Sequence, residues 1–164
     1  MAINWSITVP VYDGITVPTY GNYGGPGYAD GKVLTSPEEP VDYSAPPVDA
    51  LDSLFRFHDI AYDSPDKAVR AEGDLALIRG IEGLPRESLS AEESLYGGGA
   101  ILFSLGLITE VNDQPELLTA SEASRAIDTA LQDIAYGLTN LEPDDQTALQ
   151  SWLTSVSGAA LDLL

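Results

Sequence analysis

The sequence predicts a mostly α-helical single domain with a small β ribbon at its front. Apolar residues recur at helical spacing from Leu51 onward. Two S/T-x-x-E capping boxes open later helices. Near the start, an Asp-Gly pair joins two almost identical β-rich runs, the strongest short hairpin signal.

Those runs are ITVPVY and ITVPTY, joined by Asp13-Gly14. Pro10 and Pro18 donate no backbone hydrogen bond, so the hairpin is an edge ribbon. A glycine-rich loop follows, Tyr20 to Tyr28, completing a first segment over residues 1–28. Residues 29–49 are proline-rich and acidic, with Pro37, Pro40, Pro46, Pro47, Glu38, Glu39 and Asp42. Such an irregular excursion is functional or mobile.

After Pro47, Leu51, Leu54, Phe55, His58 and Tyr62 mark one helical stripe, with Asp49 or Asp52 as its cap. Ser64-Pro65 breaks it. A second helix is expected from Asp66 to Ile81, with Ala71, Asp74, Leu75 and Ile78 on one stripe, so residues 50–82 form a helix hairpin. The helical remainder covers 90–164. Ser90 to Glu93 caps a helix running toward Ile108, and Gly97 to Gly99 permit close backbone approach. Thr119 to Glu122 caps another, with Ile127, Leu131, Ile134 and Leu138 expected inward. Pro143 suits the first turn of a last helix, whose apolar face is Leu149, Trp152, Leu153, Val156, Ala160 and Leu163.

Composition excludes several function classes. With 7 basic and 26 acidic residues the net charge is −19, against a nucleic-acid binder and in favour of cation binding. There is no cysteine and a single histidine, so disulfides, thiolate sites and multi-histidine metal sites within one chain are out. No secretory signal is visible at the start. The uncharged stretch from Leu95 to Thr109 reads as too short and too glycine-rich to span a bilayer.

The lone histidine falls in Phe57-His58-Asp59-Ile60-Ala61-Tyr62. On an apolar stripe, burial is expected to keep His58 neutral, a competent general base. Asp59 points about 100° away and is free to reach a metal ion. Asp74, mid-stripe on the next helix, is costly unless paired. His58 and Asp74 sit roughly 10–14 Å from the intervening turn at 1.5 Å per residue, so an antiparallel hairpin lets them face each other. That is a base oriented by a carboxylate, with water as the nucleophile. Gly24, Gly25 and Gly27 allow a path whose carbonyls converge, and with Asp59 these hard oxygens suit Ca²⁺. Taken singly, each element has a plainer explanation. A stripe histidine is usually a satisfied core residue, GGPG is usually a turn, and Arg70 or Arg79 would satisfy Asp74.

Together and in this order, the residues resemble the secreted phospholipase A2 family. Tyr20-Gly21-Asn22-Tyr23-Gly24-Gly25-Pro26-Gly27 matches its calcium loop, Y-G-C-Y-C-G-x-G, with Asn22 and Gly24 at cysteine positions. Asp52 to Tyr62 matches its catalytic helix, D-x-C-C-x-x-H-D-x-C-Y, with Leu54, Phe55 and Ala61 at cysteine positions. Gly73-Asp74 takes the place of a later Cys-Asp. The resemblance covers residues 20 to about 80. It implies a phospholipase A2-like helix-hairpin core with a calcium loop. It also implies Ca²⁺ held by the carbonyls of Tyr23, Gly25 and Gly27 and by both oxygens of Asp59. His58 would be the base, Asp74 its orienting partner and Tyr62 a member of the same network, with the Gly25 N–H aiding the oxyanion. The short span from His58 to Asp74 leaves no room for a β-wing, as in compact microbial and viral branches.

The expected activity is Ca²⁺-dependent hydrolysis of the sn-2 ester of glycerophospholipids at a membrane or micelle surface. The chain is expected to be secreted without a signal peptide, with the cytoplasm left open, because cytosolic calcium would fill such a site poorly. Two rivals come from other classes: a non-catalytic calcium- or lipid-binding module on the same scaffold, and an interaction domain whose acidic loop recruits a partner.

Overall fold

The computed structural model describes residues 2–12, 15–36 and 39–161. The Asp13-Gly14 turn, Pro37, Glu38, Leu163 and the Ala160 side chain, all named above, lie outside what it describes. The chain is mostly helical, with a small antiparallel ribbon at its N-terminus. Strands β1 (Ile3–Tyr12) and β2 (Ile15–Tyr20) pair with Val9 opposite Val17 and Ile3 opposite Tyr20. The register shifts between Asn4 and Thr8. Trp152 Nε1 donates to the Thr16 carbonyl at 2.7 Å, tying the last helix to this edge. A second, two-residue pairing joins β3 (Tyr28–Ala29) to β4 (Lys32–Val33).

Helix α1 (Ala50–Tyr62) begins at Asp49, whose side chain accepts from Asp52 N, so Asp49 is the cap. Asp52 does something else: it is buried and accepts from the backbone N–H groups of Asn22, Tyr23 and Val48. Helix α2 (Lys67–Glu82) starts at the Asp66 cap and runs back along α1. The contact is close because glycine faces a side chain twice. A Cβ on Gly73 would lie 2.6 Å from Ala61 Cβ, and one on Gly80 would lie 2.7 Å from Leu54 Cδ2. The expected stripe of Ala71, Asp74, Leu75 and Ile78 is buried.

Helix α3 (Ala91–Gly106) has the Ser90 capping box and continues as a π-helical turn, Leu107–Val111. The uncharged stretch from Leu95 to Thr109 sits inside a longer helix: with the cap at one end and the π-turn at the other it runs 21 residues, and its most apolar 18-residue window has mean hydropathy 1.4, enough by length and composition alone to cross a membrane. In the fold it packs against α2 and α4. Helix α4 (Ala120–Asn140) has the expected Thr119 box but turns a different face inward. Ala126, Ala130, Asp133 and Gly137 are buried; of the expected inward residues Ile134 is half-buried against Gly98 of α3, while Ile127, Leu131 and Leu138 are exposed, Leu131 at 54 %. Small residues win because α3 and α4 approach to backbone distance. A Cβ on Gly98 would meet the Ala130 carbonyl at 2.7 Å, and one on Gly137 the Ala91 carbonyl at 2.7 Å. Arg86 pairs with the buried Asp133. Helix α5 (Pro143–Leu161) closes the described chain, with Leu153 of its expected apolar face exposed. The core gathers Ile3, Tyr20, Leu51, Phe55, Ile78, Ile81, Ile101 and Ile108 between ribbon and helices.

Candidate active site on the helix hairpin

The antiparallel hairpin brings its two polar stripe residues together. His58 Nε2 lies 2.8 Å from Asp74 Oδ1, and Asp74 is fully buried. A carboxylate oxygen accepts, so Nε2 carries a proton in either state of the ring, and Nδ1 has a free lone pair only when the imidazole is neutral. Tyr62, one turn after His58, donates to Asp74 Oδ1 and Oδ2 at 3.0 and 2.9 Å. Its ring stands 4.5 Å from the imidazole. Burial and the neighbouring Asp74 push the Tyr62 hydroxyl up, so it stays a donor. Neither Arg70 nor Arg79 touches Asp74: Arg79 pairs with Glu122, and Arg70 bonds Asn112 and the Ser64 carbonyl.

Asp59 follows His58 directly, and its Oδ1 lies 3.8 Å from His58 Nδ1. Burial pushes its carboxyl up to about 7, against the lowering effect of His58. Its Oδ2 is buried without a hydrogen-bond partner. The neutral His58 expected from burial is corrected here. Burial does lower its pKa, but the flanking Asp59 and Asp74 carboxylates outweigh it and push the imidazole up to about 9.

The glycine loop is strapped to the preceding turn of α1. Asp52, Phe55 and Asp59 are spaced i, i+3, i+7, so they share one face of the helix. Asp52 Oδ1 accepts from Tyr23 N at 2.9 Å and from Asn22 N at 3.1 Å. A Cβ on Gly24 would meet Phe55 Cδ2 at 3.1 Å. Gly21, at φ +54, must lack a side chain, since a Cβ there would overlap the Asp52 carboxylate at 2.4 Å. Gly25 has φ +139, a conformation that glycine adopts freely, and its Cβ position is walled by Val9 and Thr19 at 3.2 and 3.3 Å. The Gly25 carbonyl accepts from Tyr28 N at 3.1 Å and the Gly27 carbonyl from Leu34 N at 2.8 Å, leaving each a second lone pair.

These residues fit a hard cation. An orphaned, buried carboxylate oxygen is the kind of group that a metal ion satisfies. Among the described residues, no three His, Asp or Glu side chains gather as a metal site. The expected set has one carboxylate and three carbonyls, a composition suited to Ca²⁺.

Two features were not legible in advance. Asn112 Nδ2 donates to Asp74 Oδ2 at 2.9 Å and to the Tyr62 hydroxyl at 3.0 Å, from a position that reads as the loop after a helix. Tyr43, in the proline-rich segment, donates to Asp63 at 2.8 Å and offers its carbonyl to Arg56. That segment is thereby laid across α1. Comparison of the chain with family models, curated proteins and solved structures yields no match.

Proposed function

We propose that the protein is a Ca²⁺-dependent phospholipase A2-like hydrolase acting on the sn-2 ester of glycerophospholipids. The observation that carries the reading is the His58–Asp74 contact of 2.8 Å, beside an Asp59 oxygen that is buried and unpartnered. Further support comes from Ala61 and Gly73, two positions where the resemblance puts cysteines on separate helices. They touch. A disulfide at that place would have been replaced by direct packing.

Asp74 holds the imidazole through Nε2, leaving Nδ1 of the neutral ring, on the Asp59 side, to take a proton from water as the water attacks the ester carbonyl. Tyr62 keeps the Asp74 carboxylate fixed by hydrogen bonds to both of its oxygens. The carbonyls of Tyr23, Gly25 and Gly27 and the Asp59 carboxylate would hold the ion, and the Gly25 N–H would donate to the developing oxyanion. Ca²⁺, when bound, polarises the ester carbonyl and lowers the proton affinity of His58. His58 returns its proton to the leaving alkoxide, giving a lysophospholipid and a fatty acid. The substrate is presented at a membrane or micelle surface, and we place the protein outside the cell, where calcium is abundant.

The deciding experiment is fatty-acid release from mixed phospholipid vesicles, with Ca²⁺ and then with EGTA. Release that depends on Ca²⁺ supports the reading. Calcium-dependent stabilisation without release would favour the non-catalytic binding module.

A further inference from the structure

Asp74 is fully buried, and its four hydrogen bonds come from three side chains. His58 and Tyr62 belong to the catalytic helix; the third, Asn112, comes from the end of α3, 38 residues after Asp74. Asn112 is itself fully buried. Both N–H bonds of its amide are used, one on Asp74 Oδ2 at 2.9 Å and one on the Tyr62 hydroxyl at 3.0 Å. Its oxygen accepts from Arg70 Nε at 3.2 Å. The amide's orientation is fixed by chemistry, since a carboxylate only accepts and a guanidinium only donates. Arg70 is anchored in turn by donating to the Ser64 carbonyl at 3.0 Å, in the turn between the two hairpin helices.

The backbone around Asn112 is irregular in a way that serves this contact. The Leu107–Val111 turn is π-helical, and Asn112 N bonds the Leu107 carbonyl at 2.8 Å, five residues back. One extra residue in a turn rotates everything after it by roughly 100° relative to an α-helix. Asp113 follows at φ +56, and Gln114 N bonds the Ile108 carbonyl, which ends the helix. The sequence thus departs from regular helix at the point that delivers an amide to Asp74. Single π-turns occur often at functional sites.

We infer that Asn112 is the positioning residue of the His58–Asp74 pair, held by Arg70 and delivered by the π-turn. Without it, Asp74 Oδ2 loses a donor and the carboxylate gains freedom to rotate about its Cβ–Cγ bond. The imidazole then loses its fixed tautomer. The kinetic consequence rests on the ester-hydrolase reading above; the structural consequence does not.

The test uses Asn112→Leu, similar in shape and without polar atoms, and Arg70→Gln, which leaves Asn112 in place but frees its oxygen. Two readouts are taken on the full chain. The first is kcat and KM on phosphatidylcholine vesicles at saturating Ca²⁺. The second is the ¹⁵N signature of the chain's one imidazole, taken above the pH at which that signature itself is seen to titrate. Wild type should show the Nε2–H tautomer. Asn112→Leu should show a mixture, with kcat down about 10- to 100-fold, the range for supporting-partner loss, and KM within about twofold. Arg70→Gln should move both readouts the same way by less, and it alone decides if Asn112→Leu does not fold. An unmoved tautomer in the folded variants overturns the inference, even if wild type is an active hydrolase. A shifted tautomer with inactive wild type sustains the inference and sinks the hydrolase reading.

Discussion

A Cβ built on Gly73 would sit 2.6 Å from the Cβ of Ala61, so the two hairpin helices are in direct contact one residue before Asp74. The neighbour is a stub fixed to its own backbone, with no flexible end to move aside. Gly73→Ala should therefore push the helices apart. Overpacking costs about 1–3 kcal/mol, and the helix preference of alanine over glycine, about 1 kcal/mol, offsets only part of it. A lower Tm with a disproportionate loss of lipid hydrolysis is expected. A stabilised, fully active variant would show that the spacing does not matter.

Asp59→Asn should remove calcium binding without unfolding the hairpin. Saturating Ca²⁺ should stabilise the wild type by mass action, by about 2.7 kcal/mol at a hundredfold excess over Kd, and so raise its Tm. The variant should lose most of that shift. An equal calcium shift in both would move the ion elsewhere.

His58→Gln should lower the hydrolysis rate by at least about 10²-fold, the low end for loss of a general base. The calcium shift in Tm should persist, because His58 is not among the proposed ligands. An active, folded His58→Gln protein would contradict the mechanism.

Surface charge sets the lipid preference. Of the seven basic residues, Lys32, Arg79, Arg86 and Arg125 are already in ion pairs. Arg56 and Arg70 bond carbonyl or amide groups inside the fold. The seventh, Lys67, is exposed at the start of α2, and one lysine is no concentrated basic face to offset a net charge of −19. Anionic vesicles should be repelled over roughly 8–10 Å at ordinary salt. Phosphatidylcholine should turn over faster than phosphatidylglycerol at limiting calcium, and added salt should narrow the gap. Initial rates across a salt series measure this; faster anionic hydrolysis at the lowest salt would refute it.

Glu122 gives a pH prediction away from the site. Hydrogen bonds from Thr119 N and Oγ1, and Arg79 beside it, lower its carboxyl to about 2. A depressed carboxyl stabilises the fold above its unfolded pKa of about 4.5 and loses that contribution as pH falls toward 2. The Tm gap between wild type and Glu122→Gln should be open at neutral pH and closed near pH 2. A gap independent of pH would mean that the charge is irrelevant to the cap.

Much of this was legible because it is local. Capping boxes at Ser90 and Thr119, the hairpin echo and the His58–Asp74 spacing each need only neighbours in sequence or one antiparallel turn. The α4 face was misjudged because periodicity points at the bulky stripe of Ile127, Leu131 and Leu138. The fold instead buries the small stripe beside it, where backbones approach. The pKa of His58 was misjudged because the sequence shows burial but not two carboxylates meeting one ring. Asn112 was invisible because its place depends on a π-turn, which no sequence period announces.

Asp52 joins the glycine loop, the chain before α1 and α1 itself through one carboxylate. The loop therefore takes its shape when the protein folds, and an arriving ion has little chain left to order. Preorganisation of that kind moves the entropic cost of building a binding site from the encounter to the folding step. It makes the loop's readiness a property of the helix it is tied to. Cutting the tie at Asp52 should thus weaken Ca²⁺ binding at the proposed site even though Asp52 is not among the proposed ligands, which all remain present.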